Sequence, residues 1–201
     1  MALKFAINNS LSDVTSLPTA IPTGSMTLLQ TQTASSSSSV SFTSNIDSTY
    51  KAYVFKFIDI HPANNSVEIE FQGSTNGGSS YGVTMTTTNF QASHNEDDSA
   101  TNLAYITSGD LAQSTSYQRL ARAVGNDNDQ NCAGTFTIYN PSSTTFVKHF
   151  ISDFNENKGT DGSIRTFTAG YFNTTNAINA LDFKASSGNI DSGVIKLYGI
   201  S

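Results

Sequence analysis

Apolar residues in this chain recur at intervals of two. The clearest run is VEIEFQ, in which Val67, Ile69 and Phe71 share one face while Glu68, Glu70 and Gln72 share the other, the period of a strand with one wet side. In AYVFKFIDI, just before it, Tyr53, Phe55 and Phe57 hold one phase and Ile58 and Ile60 bring in the other. Such a phase change predicts either a β-bulge or a strand buried on both faces, and His61-Pro62 ends the run. Further strand-like runs lie at residues 83–88, 117–124, 135–139, 145–152, 164–172, 178–184 and 193–198. With residues 40–43 and the two runs above, they make about ten strands. Clusters such as STNGGSSYG, GNDNDQN, YNPSS, NKGTDGS and SSGNIDSG fall between them as turns. No segment keeps a 3.6-residue apolar period long enough for a substantial helix, though residues 98–111 have room for a short one.

These elements predict an all-β protein, an antiparallel jelly-roll-like β-sandwich with an extended N-terminal arm. GVIKLYGIS, at residues 193–201, is among the most strand-like segments, and an uncovered strand edge recruits other chains. It is therefore expected to lie between two earlier strands. Residues 1–38 read differently, with a short apolar stretch from Leu3 to Ile7, then SLPTAIPTG, then TASSSSSV. Proline-spaced, hydroxyl-rich sequence of this kind suits an arm that wraps or docks, leaving 39–201 as the sandwich, and the alternative is a flexible N-terminus with one added edge strand.

Composition narrows the partners. Ser occurs 29 times and Thr 25 times, only 13% of residues are charged, and Trp is absent, so hydroxyls and amides must build the solvent face. Ten Lys and Arg against sixteen Asp and Glu give a formal charge of −6, the wrong sign for neutralising phosphates, and nucleic acid is not expected as a partner. No run is long and apolar enough to insert in a membrane, and the opening MALKFAINNSLSDV is too interrupted for a secretory signal. Without such a signal, the N-x-[ST] sequons at Asn8, Asn64 and Asn173 read as chance matches. A lone cysteine, Cys132, forms no intrachain disulfide and reads as a small buried side chain.

Candidate chemistry is sparse. Residues 78–82, GSSYG, match the G-x-S-x-G nucleophile pattern, but that pattern needs a strand-to-helix elbow and here strand-like sequence follows, so a hairpin turn is expected. The same loop loosely resembles the Asp-box turn of sialidases and β-propellers, with Asn76 in place of aspartate and Tyr81 in place of tryptophan. Asp127, Asp129 and Asn131 alternate as oxygen ligands for Ca²⁺ would, without the glycine and glutamate of an EF-hand loop, and Glu96, Asp97 and Asp98 form a second acidic cluster. His61, His94 and His149 show no zinc spacing. Among the aromatics, Tyr81 and Tyr117 are the residues assigned to a glycan surface, with Tyr50, Tyr105 and Tyr171 as further candidates. An interface between proteins explains tyrosines equally well. No enzyme signature emerges, and no cofactor beyond Ca²⁺ is suggested.

Several stretches carry a resemblance: SFTSNIDSTYKAYVFKFIDIHP, FQGSTNGGSSY, DLAQSTSYQ, VGNDNDQ, NPSSTTFVKHFI and AGYFNTTNAINALDFKASSGNIDSGVIKLYGI, together with MALKFAINNSLSDVTSLP. They resemble decoration- or fibre-like virion structural proteins of tailed bacteriophages, in particular marine and cyanobacterial phages, over nearly the whole chain. The resemblance implies a non-enzymatic component of the capsid, tail or fibre surface, assembled in the host cytoplasm and anchored by the arm. It implies other virion proteins as partners and a homo-oligomer, with a trimer favoured. Recognition of host surface glycans is the alternative. The resemblance supplies no catalytic residues.

Overall fold

The computed structural model describes residues 26–201, which form twelve strands and no helix. In chain order these are β1 (Met26–Ser37), β2 (Val40–Phe42), β3 (Ala52–Pro62), β4 (Val67–Ser74), β5 (Met85–Asn95), β6 (Thr101–Tyr105), β7 (Gln118–Val124), β8 (Cys132–Tyr139), β9 (Lys148–Asn157), β10 (Gly162–Phe172), β11 (Ala180–Ala185) and β12 (Ile190–Ile200). They build an eight-stranded sheet in the order β1-β12-β3-β8-β9-β10-β5-β6 and a four-stranded sheet in the order β2-β11-β4-β7. Every pairing is antiparallel.

The pairings nest. β1 pairs with β12, β2 with β11, β3 with β8 and β4 with β7, while β12 also lies against β3 and β11 against β4. That is the pairing of a jelly roll, a long double ribbon folded over on itself into two layers. Two hairpins, β5–β6 and β9–β10, are inserted into this scheme and widen one layer from four strands to eight. The carboxy-terminal strand occupies the expected interior slot, with Leu197 opposite Gln30 on one side and Phe55 on the other.

Nine phenylalanines from both layers fill the core: Phe42, Phe55, Phe57, Phe71, Phe136, Phe150, Phe154, Phe172 and Phe183. Phe183 stands at their centre, its ring meeting Phe55 at 5.3 Å, Phe57 at 5.0 Å, Phe42 and Phe136 at 6.1 Å and Phe71 at 6.4 Å between centroids. Edge-to-face and tilted packing of this kind favours rings beyond the area they bury. The phase change in β3 is a bulge: the register slips between Phe57 and Ile60, and Asp59 takes φ of 51°. The extra residue leaves Ile58 at the surface and returns Ile60 to the core.

Beneath the widened part of the large sheet the interior changes character. Phe71 of β4 packs on Phe150 and Phe172 at one end, and beyond it, under β7 and the loop before it, the inward positions of β9, β10 and β5 include Ser152 and Glu156, Thr166 and Thr168, and Thr87, Asn89 and Gln91, all buried. Thr168 donates to the Arg119 carbonyl at 3.1 Å, Asn89 to the Thr168 hydroxyl at 2.7 Å and Thr87 to the Gln118 side chain at 2.6 Å. These bonds are what make burying so many polar groups tolerable.

Three expectations need correction or placement. Residues 1–25, most of the expected arm, lie outside the described residues, but residues 26–37 are a strand of the sandwich itself. β1 escapes a hydrophobic reading because Ala34 is its one fully buried residue, and its place is set by the backbone ladder to β12. The short helix allowed at 98–111 is instead the edge strand β6, which pairs Thr101 to Tyr105 with His94 to Phe90. Finally, the loop carrying GSSYG is no hairpin turn: it passes from β4 in one layer to β5 in the other.

Candidate functional site

Alternation along β11 turns Asp182 and Lys184 outward on the small sheet, where Asp182 lies between Ser41 of β2 and Gln72 of β4. The β4–β5 loop and the residue before β7 bring Tyr81 and Tyr117 over the same spot. Tyr117 donates its hydroxyl to Asp182 Oδ2 at 2.9 Å, Ser41 donates to Oδ1, and the Lys184 ammonium stands 4.1 Å from the centre of the Tyr117 ring. Burial, with the Asp182 charge beside them, raises the phenol of each tyrosine above its ordinary value. Burial also raises Glu70, helped by Glu68. The two tyrosines singled out in the sequence thus converge, but on a carboxylate that is only 4% exposed and already holds two hydroxyl donors. The Tyr117 bond ties the segment before β7 to the sheet, while the Tyr81 hydroxyl is buried without a partner.

The other sequence candidates are dispersed. Asp127 and Asp129 are exposed and Asn131 half-buried in the β7–β8 loop, whose turn is held by Gln130 donating its amide to the Asp127 carbonyl at 2.8 Å. Among the described residues, no three His, Cys, Asp or Glu side chains gather in a way that would hold a metal ion. Glu96 donates its amide to the Asp161 carbonyl, and Gln130 reaches the Asp161 carboxylate at 3.3 Å, so both acidic loops abut the β9–β10 turn. His61 contacts the Gln130 carbonyl at 2.7 Å, and His94 pairs with Asp98 at the surface. Cys132 is fully buried, and burial pushes its thiol well up. In the GSSYG loop, Asn76 organises the turn: its side chain accepts from Ser74 at 2.7 Å and from the Ser80 amide at 3.0 Å, and donates to the Ser80 hydroxyl at 2.9 Å.

An accessible aromatic surface lies elsewhere, on the outer face of the eight-stranded sheet. One cross-strand row runs Asp153, Phe167, Phe90, Tyr105. Phe90 and Phe167 stack with centroids 4.8 Å apart and planes at 15°, and the Arg165 guanidinium lies 4.7 Å from the Phe167 ring while bonding Asp153 through two nitrogens at 2.9 and 2.7 Å. A second row runs His149, Tyr171, Thr86, with the imidazole and phenol rings 5.8 Å apart. Between the rows, Ala169 sits between Ile151 and Thr88, and its small side chain leaves a recess of about 460 Å³. The sequence carried a signal for this face: in RTFTAGYF, Phe167 and Tyr171 fall out of phase with the core residues Ile164 and Phe172. Tyr105 and Tyr171 belong to it, whereas Tyr50 packs on Tyr53 at 5.8 Å.

Comparison of the chain with protein-family models, with curated proteins and with solved structures yields no match.

Proposed function

We propose that the chain is a non-enzymatic structural protein of a bacteriophage particle, displayed on the surface of the capsid, tail or fibre and held there through the residues that precede the sandwich. The observation that carries this reading is where the chain enters the fold. Residues 1–25 join β1, the outermost strand of the large sheet, and the opposite edge at β6 lies seven strand spacings away, about 33 Å. An attachment made at the β1 edge leaves the broad outer face and the β6 edge turned outward. The resemblance to phage decoration and fibre-like proteins, the hydroxyl-rich surface of low charge and the jelly-roll pairing support the same reading, the last by fold-level analogy alone.

A structural rather than catalytic role is favoured by where the buried acidic groups lie. Asp182, held by Ser41 and Tyr117, and Glu156, held through one oxygen by Thr166 and the Arg122 amide, are both closed off from solvent and out of a substrate's reach. The partners are other virion proteins and further copies of the chain, with a symmetric trimer as the favoured assembly. Deleting residues 1–25 from the encoding phage tests this. The expected result is a truncated protein that is folded and abundant in lysate but missing from purified particles by mass spectrometry. Incorporation of the truncated protein at the full-length level, or absence of the full-length protein from particles, overturns the reading.

A further inference from the structure

We propose that the outer face of the large sheet across β9, β10 and β5 is a carbohydrate-binding groove that takes a neutral saccharide chain. The argument is independent of where the protein resides, and it moves glycan recognition away from Tyr117, whose hydroxyl is taken up by Asp182, and from Tyr81, whose hydroxyl is buried. Two ring platforms stand on one face: the stacked Phe90 and Phe167, and the Tyr171 and His149 pair. Phe167 and Tyr171 are four residues apart on one strand, which separates the platforms by about 13 Å. The recess over Ala169 lies between them, with the Thr88 side chain at its edge and that of Thr86 beside Tyr171.

This lining matches a sugar chain in three respects. A pyranose presents a face of C–H groups that packs on an aromatic ring and a rim of hydroxyls that needs donors and acceptors. Rings interleaved with Thr86, Thr88, the Tyr171 phenol and the His149 imidazole supply both in alternation. Between the platforms the floor is Ala169 and the exposed Ile151, on which the C–H face of a further pyranose can lie, with Thr86 and Thr88 along the β5 side. The charge balance argues for a neutral ligand, because Arg165, the cation beside the groove, is already neutralised by Asp153 and laid flat on Phe167, and the whole chain carries −6. The groove also lies on β9, β10 and β5, each paired on both sides, so its platforms are held in place before a ligand arrives.

The test uses the full chain on an array of neutral and acidic bacterial oligosaccharides, followed by titration with any free oligosaccharide that binds. Binding to at least one neutral oligosaccharide is expected, at least tenfold weaker for Tyr171→Ala and for Phe167→Ala, and within twofold of the parent for Tyr81→Ala. Ala169→Leu, which fills the recess from an exposed face, is expected to abolish binding while leaving the melting temperature and the β-type circular dichroism spectrum unchanged. If Ala169→Leu disturbs folding, Thr88→Val takes its place, and amide chemical-shift changes confined to β5, β9 and β10 on ligand addition give a second readout. Binding to no neutral oligosaccharide, binding to acidic ones alone, or binding that survives Tyr171→Ala and is lost in Tyr81→Ala overturns the proposal. Capture of a second copy or another protein through the Phe90 and Phe167 surface, with no saccharide bound, overturns it in favour of an interface.

Discussion

Glu156 has one carboxyl oxygen bonded to the Thr166 hydroxyl and the Arg122 amide, while the other is buried with no partner. Burial pushes its pKa up to about 8, against the lowering effect of those bonds and of the nearby arginines. The folded protein therefore holds a proton here that the unfolded chain gives up near its ordinary carboxylate value. The contribution to stability is complete below that value, declines as pH rises towards 8, and is constant above it. The decline is at most ~1.4 kcal/mol per pH unit. Melting curves from pH 5 to 8.5 are expected to slope downward in the parent, and Glu156→Gln, which keeps the accepting oxygen without the charge, is expected to flatten that slope. A second prediction at this scale concerns Phe183, whose ring joins the two layers. Phe183→Ala should cost about 3–5 kcal/mol in denaturant unfolding, a typical penalty for emptying a packed aromatic site. Phe183 falls within the strand-like run at 178–184, whereas nothing in the sequence shows that Glu156 is buried. A glutamate at an inward position reads as outward until the neighbouring strand supplies its hydroxyl partner.

Among the elements, β3 and β12 carry the most. The bulge at Asp59 was legible because two phases of apolar residues cannot share one flat strand, and the structure resolves it with a residue in the left-handed region. Asp59→Val, which puts a β-branched side chain there, is expected to destabilise by about 1–2 kcal/mol, and Asp59→Gly to be close to neutral. Chemical denaturation of the two variants distinguishes them. For β12, whose backbone is paired on both sides, the Ile195 and Leu197 amides are expected among the slowest to exchange, close to the rate of global unfolding. Exchange there as fast as at the β6 edge would contradict the interior position. β6 was hidden in the sequence, and β1 was legible only as the alternative of an added edge strand, without its bounds. Both are edge strands, and an edge strand with one buried residue or none has little hydrophobic pattern to display.

For the whole molecule, the sandwich and its closing strand followed from periodicity and from the need to cover an edge. The widening of one layer to eight strands did not, since periodicity marks a strand but not the neighbour it pairs with. The outer aromatic face arises from that widening, so the candidate site was only partly visible: Tyr105 and Tyr171 could be named, but their alignment with Phe90, Phe167 and His149 is a matter of register between distant segments. Because residues 26–201 bring together two layers and a core of nine phenylalanines, a chain lacking residues 1–25 is expected to unfold in one cooperative transition, as scanning calorimetry would record.

The slot between β1 and β3 has a consequence for biosynthesis. A ribosome delivers β1 and β3 long before residues 190–200, so both flanks of that slot wait unpaired while more than a hundred residues are still to be made. Closure of the large sheet then coincides with the emergence of its last strand, and a chain that stalls short of it keeps two sticky backbones exposed. A product cut short before residues 190–200 is therefore expected to clump in lysate, where one that includes them does not.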